Sequence, residues 1–103
     1  MKFNQKIWDA LKKIPCGKVA TYSQIAWAIG SPKAFRAVGT ACGKNPNAPF
    51  VPCHRVITSN GFLGGYSGGI SKKIRLLAKE GVTVKNNKIV NFKEKLVKQK
   101  ELR

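Results

Sequence analysis

The densest run of reactive side-chain types is Pro52-Cys53-His54-Arg55. A thiol attacks as thiolate, and an unperturbed cysteine ionises near pKa ~8.5, so a neighbouring cation or proton acceptor would sharpen Cys53 as a nucleophile. His54 is the one histidine of the chain. Adjacency in sequence is not contact, however. Consecutive side chains of a strand point to opposite faces, and only a bend after Pro52 would let both serve one site. The plain alternative is a buried cysteine, a small hydrophobe beside a hydrogen-bonded histidine. Cys–His hydrolase chemistry would want a third, orienting group. The acids are Asp9, Glu80, Glu94 and Glu101, and only Glu80 falls between elements. Cys16, Cys42 and Cys53 with His54 would make a Cys3His metal set, but the cysteine spacings of 26 and 11 residues match no finger or ribbon. The glycine-rich stretch 61–69 lacks the Gly-Lys-Ser/Thr ending of a phosphate-binding P-loop. It reads as a flexible loop, or as one that lets a planar group approach the backbone. Tyr22 and Tyr66, taken alone, read as core-edge residues.

The elements that must carry these residues follow from periodicity. Phe3, Ile7, Leu11 and Ile14, with Trp8 beside them, predict a short amphipathic helix with one core-facing stripe, ended by Pro15 and Gly17. Thr21 or Ser23 caps a second helix containing Ile25, Ala26 and Ile29, with Gly30 as its stop. Ser31-Pro32 reads as a cap followed by proline at the first helical position, predicting a third helix from about Pro32 to Cys42. Two short helices joined at Gly30-Ser31 form a helix-turn-helix candidate. Asn45 to Pro52 is an extended, stiff loop. A strand is expected over Arg55–Thr58, then a turn at Asn60-Gly61. Ser71 is expected to cap a fourth helix, Lys72 to Glu80, with Ile74, Leu77 and Ala78 inward. Val82–Val84 and Lys88–Val90 around Asn86-Asn87 predict a hairpin, which makes the arrangement winged-helix-like. The run 93–103 is a lysine-rich tail, helical or frayed.

Twenty Lys and Arg against four acids give this 103-residue chain a formal net charge of +16. Nucleic acid is the commonest partner of such a surface, an anionic membrane the second, and a merely solvated basic surface the plain alternative. No stretch approaches membrane-spanning length. An odd number of cysteines without a Cys-x-x-Cys pair points to a reducing, intracellular compartment.

Taken in order, Ile14-Pro15-x-Gly17, Thr21-Tyr22-x-x-Ile25-Ala26, Ser31-Pro32-Lys33-Ala34-x-Arg36-Ala37-Val38-Gly39, Asn45-Pro46, Pro52-Cys53-His54-Arg55-Val56-Ile57, Gly65-Tyr66-Ser67-Gly68-Gly69 and Leu76-Leu77-Ala78-x-Glu80-Gly81 form one pattern. The sequence strongly resembles the C-terminal, DNA-binding and active-site domain of the O6-alkylguanine-DNA alkyltransferases, over roughly residues 3 to 92. The resemblance implies a mainly α domain with a small β component, winged helix-turn-helix-like, spanning 1–92, with 93–103 as a basic tail.

It also implies roles. Cys53 is the alkyl acceptor, His54 the base acting through a water, and Glu80 the carboxylate orienting that histidine. Tyr22 helps turn the nucleotide out and protonates the leaving guanine. Arg36 is the finger that fills the stack. Lys33, Ala37, Gly39 and Thr40 lie on the DNA-binding helix and its approach. Asn45 ties that helix to the active-site loop. Val56, Tyr66, Ser67 and Gly68 form the substrate pocket. In this family the recognition helix lies in the minor groove, and the small side chains of Ala37-Val38-Gly39-Thr40-Ala41 suit that close approach. The partner implied is double-stranded DNA with an alkylated guanine, met by a monomer in the cytoplasm, nucleoid-associated, or in the nucleus of a eukaryote. No cofactor is implied. The metal of some relatives lies in a further N-terminal domain that this chain lacks, so none is expected. Two other readings remain. One is an alkyltransferase-like protein that flags lesions without repairing them, in which tryptophan typically replaces the reactive cysteine. The other is a winged-helix regulator indifferent to alkylation.

Overall fold

The computed structural model describes residues 3–44, 50–66 and 68–102. Helix α1 (Phe3–Leu11) buries Ile7, Ala10 and Leu11 on one side, and Ile14 follows them into the core. Phe3, expected in that stripe, is 39% exposed, because it sits at the helix's outer end. Trp8 Nε1 donates to the Ala41 carbonyl at 3.0 Å and so ties α1 to a later helix.

Strand β1 (Ala20–Thr21) runs straight into α2 (Tyr22–Ala28). Of the two possible caps, Thr21 is the one used. Its hydroxyl accepts from Gln24 N while the Gln24 side chain accepts from Thr21 N, a reciprocal pair that satisfies two otherwise orphaned donors. Helix α3 (Phe35–Gly43) begins later than expected. Ser31-Pro32 opens a turn closed by Ala34 N on the Ser31 carbonyl at 2.9 Å, so Pro32's fixed φ serves a turn rather than a first helical position. The helix starts without a side-chain cap.

The expected strand over Arg55–Thr58 is shorter. Cys53–Arg55 form a 3-10 turn, and β2 is only Val56–Ile57, parallel to β1 with Ala20 opposite Val56 and Thr21 opposite Ile57. Helix α4 (Ile70–Lys79) starts two residues before the position expected and is preceded by Gly69 at φ 95°, so Ser71 lies inside the helix and caps nothing. Leu77 and, unexpectedly, Lys73 are buried, Ile74 packs partly buried against the same core as expected, and Ala78 faces solvent instead. The hairpin is present as β3 (Val84–Lys85) and β4 (Lys88–Ile89), antiparallel. Asn86 and Asn87 both take positive φ, which asparagine tolerates and a tight hairpin turn requires.

Two cores result. Helices α1 to α3 enclose one with Val51, Cys53 and Val56 at its edge, and Val19, Ile57, Leu63, Leu77, Val82 and Ile89 form the other. The lysine-rich run read as a tail is docked. After α5 (Phe92–Lys95), Val97 N donates to the Val19 carbonyl at 2.8 Å, and Val97 and Leu102 enter the helical core. Each such burial contributes roughly 1.5–3 kcal/mol. Gln24 is the anchor. Its Nε2 donates to the Val97 carbonyl and its own carbonyl accepts from Gln99 Nε2. Among the described residues no helix is long and apolar enough to cross a membrane.

Candidate active site

The bend that the sequence required after Pro52 is the 3-10 turn Cys53–Arg55. It buries both Cys53 and His54, at 3% and 1% exposure. Cys53 opens onto a cavity of about 270 Å³ whose other walls are Tyr22, Gly39, Cys42, Gly43, Gly65 and Tyr66. Helix α3 supplies one side through Gly39, Cys42 and Gly43, where the lack of side chains at the two glycines leaves the space open. The Tyr22 ring crosses the cavity from the start of α2. A side chain at Gly64 would come within 3.0 Å of the Tyr22 hydroxyl, so glycine there is what lets the ring reach across.

Behind the thiol lies a charged cluster. His54 Nε2 stands 3.1 Å from Glu80 Oε2. An ionised carboxylate only accepts, so Nε2 carries the proton and Nδ1 of the neutral ring is left as the basic nitrogen. Nδ1 is buried and has no hydrogen-bond partner among the described residues. Arg55, part of the reactive run but given no role of its own from sequence, grips the same carboxylate twice. Its Nε donates to Oε1 at 2.9 Å and its Nη2 to Oε2 at 2.6 Å, while Nη1 donates to the Ile14 carbonyl at 2.8 Å. Burial alone would raise the Glu80 carboxyl, but hydrogen bonds from Arg55 and His54 hold it below its usual value. Gly17, at positive φ, passes close beneath the Glu80 backbone and lets the α4 terminus dock there.

Two tyrosines and a second thiol complete the walls. Burial, and then Cys42 and Cys53, push Tyr22 up to about 12, so it holds its proton at neutral pH. Tyr66 is raised by burial and then by Cys53. Cys42 is pushed to about 12, chiefly by burial, and is therefore a thiol rather than a second nucleophile.

The other expected residues are placed as follows. Arg36, Lys33 and Thr40 are exposed along α3 and the turn before it, with Ala37 half-buried beside them. Thr40 Oγ1 donates to the Arg36 carbonyl at 3.3 Å. Val56 is buried behind the cavity instead of lining it, its N–H bound to the Cys53 carbonyl. Gly68 is exposed and lets the Tyr66 ring fold over it, since a side chain there would come within 2.9 Å of that ring. Asn45 and Ser67 lie outside the described residues. Among the described residues no group of three or more His, Cys, Asp or Glu is placed to hold a metal ion.

Residues 2–82 match the family model of the 6-O-methylguanine DNA methyltransferase DNA-binding domain. The chain belongs to this family. A methylated-DNA–protein-cysteine methyltransferase of Salmonella typhimurium is 53% identical over 79 residues, which are 77% of this chain and 46% of that protein. The chain therefore spans about half the length of such relatives. Among solved structures, Mycobacterium tuberculosis OGT in complex with DNA superposes with a TM-score of 0.77 at 52% identity, over 79% of this chain and 49% of that one. Schizosaccharomyces pombe Atl1, solved with damaged DNA containing O6-carboxymethylguanine, superposes at 0.79 with 32% identity, over 95% and 99%. As expected from the sequence, the methyltransferase DNA-binding domain is mainly helical with a small sheet component and a helix-turn-helix-compatible arrangement of α2 and α3.

Within this DNA-binding domain the His54 ring is tuned toward neutrality. Burial lowers it below its ordinary 6.5, with Glu80 opposing. A folded-state value below the unfolded one means that the unfolded chain binds the proton more readily. The associated stability is present above 6.5 and is lost as pH falls through the folded value. Between about pH 7.5 and about 5.5 the melting temperature should therefore fall in the wild type and stay flatter in His54→Gln. Parallel curves would show that His54 has no depressed folded-state value.

Proposed function

We propose that this chain takes an alkyl group from O6 of guanine in duplex DNA onto Cys53, once per molecule. The observation that carries this reading is a thiol opening onto a cavity with a protonated tyrosine across it and a His–Glu pair behind it. His54 Nδ1 takes the Cys53 proton through a water. The sulfur–carbon bond forms as the carbon–O6 bond breaks in line. Tyr22 gives its proton to the departing guanine, leaving a thioether. Here the triad logic serves alkyl transfer instead of hydrolysis. No cofactor or metal enters.

Reaching the base requires turning it out of the stack, at a cost of a few kcal/mol. Arg36, exposed near the start of α3, fills the gap, and Lys33, Ala37, Gly39 and Thr40 meet the groove. Not one acid occurs in the sequence between Asp9 and Glu80, and the exposed Lys33, Arg36 and Lys44 on and beside α3 are available for phosphate. Tyr66 keeps its place in the base pocket in this reading, with Asn45 and Ser67 as the loop tie and a further pocket group, while Val56 and Gly68 support the pocket from behind Cys53 and beneath the Tyr66 ring. Arg36→Ala should weaken lesion binding by about tenfold, or about 1.4 kcal/mol, and undamaged-duplex binding less. Equal losses in a paired titration would reduce Arg36 to a phosphate contact.

The deciding experiment is mass spectrometry after mixing with a duplex containing O6-methylguanine. A gain of one methylene on the tryptic peptide Asn45–Arg55 alone, with guanine restored, supports transfer. A second reading, lesion binding without transfer, is favoured by the near-complete overlap with Atl1. It predicts preferential binding with no peptide gaining mass.

A further inference from the structure

Among the described residues Lys73 is the largest fully buried side chain, at 0% exposure, and no step above uses it. Its ammonium sits among three backbone carbonyls and donates to Val56, Leu63 and Gly65. An ammonium has three donors and no acceptor, so this cage satisfies it completely. Burying such a charge is costly unless every donor is paired, so the cage marks a place where the fold accepts that cost.

The three carbonyls belong to different parts of the pocket. Val56 follows directly on the turn that holds Cys53 and His54. Leu63 and Gly65 flank Gly64, the residue against which the Tyr22 ring rests. Gly65 itself lines the cavity. One side chain from α4 therefore joins the nucleophile's turn to the wall that seats the tyrosine.

We propose that Lys73 is a positioning residue of the alkyl transfer, fixing the separation between Cys53 and the Tyr22 hydroxyl by clamping the Val56, Leu63 and Gly65 carbonyls. This rests on the transfer reading above. Lys73 touches neither lesion nor leaving group and acts through the backbone. Near-attack geometry is steep in distance, so a loosened clamp should slow chemistry far more than it weakens binding. Burial draws its ammonium down to about 8, so the carbonyl cage has to hold the charged form in place.

The test compares wild type, Lys73→Met, Tyr22→Phe and the double variant in single-turnover transfer at saturating O6-methylguanine duplex. Lesion affinity is measured separately on a Cys53→Ala background, and folding is checked by circular dichroism. Lys73→Met should lower the saturating rate by about a hundredfold with affinity changed by less than about threefold. The double variant should be little slower than the slower single variant, because both changes disable the same proton delivery. Rates that multiply would assign Lys73 a merely structural role, and a wild-type rate in Lys73→Met would overturn the proposal outright. Lys73→Arg keeps the charge but cannot fit its planar fork among three carbonyls, and it should also be slow. It replaces the Met variant if that one melts at the assay temperature, and a wild-type rate in it likewise overturns the proposal. Absence of transfer in the wild type would overturn the transfer reading and this proposal with it, whereas transfer unaffected at Lys73 overturns this proposal alone.

Discussion

Replacing Cys53 by alanine is expected to abolish methyl transfer, a loss of at least about a thousandfold in the single-turnover rate. Binding to a lesion-bearing duplex should persist. The asymmetry follows from position. Cys53 is 3% exposed at the edge of the helical core, and alanine there removes one sulfur without disturbing the exposed side chains of α3. Cys42 shares the cavity but cannot rescue the chemistry, because burial keeps it protonated far above neutral pH. The assay is transfer of labelled methyl from duplex to protein, read beside a gel-shift titration. Residual transfer onto Cys42 would refute its assignment as inert. Loss of lesion binding in parallel with transfer would mean that the sulfur is part of the recognition surface.

Glu80→Ala should be the most destabilising single change at the site. It strips two hydrogen bonds from Arg55 and one from His54, and leaves the Arg55 guanidinium with only the Ile14 carbonyl. Both partners of the Arg55–Glu80 pair are about 15% exposed, so water cannot readily take over. Orphaning one member of such a pair costs about 3 to 5 kcal/mol. Transfer should fall as well, since His54 loses the acceptor that fixes its proton on Nε2. Urea unfolding with the slope held constant checks the first effect. A loss under about 1 kcal/mol would place the pair in the class of surface ion pairs, which contribute little.

The residues with a local signature were legible in the sequence. Thr21 caps α2 through Gln24, three positions on, and Asn86-Asn87 turn the hairpin at positive φ; both are short-range rules. Cys53, His54 and Glu80 stood out by residue type, and the structure joins His54 to Glu80 across 26 positions. What stayed hidden depends on distant backbone. Periodicity counts Lys73 as outward because it is charged, and nothing in its neighbours announces that carbonyls of Val56, Leu63 and Gly65 await it. The role of Arg55 was hidden for the same reason, since its partners come from the segment after α1 and the end of α4. Pro32 misled in another way. Proline's fixed φ suits both a helix start and a turn, and the Ser31–Ala34 hydrogen bond selects the turn.

The docking of residues 96–102 bears on the order in which the protein can be made. Val97 and Leu102 pack with Ile7, Leu11 and Ile25, so the helical core contains side chains from both extremes of the sequence. While the ribosome is still delivering the segment after α4, the apolar faces of α1 and α2 wait without their last partners, and the Gln24 anchor has nothing to hold. Domains ordinarily fold as units, N-terminal parts first during synthesis. Here the helical core lacks two of its buried side chains until residue 102 emerges. A stalled or prematurely terminated translation product would expose the same apolar surface that chaperones and proteases survey.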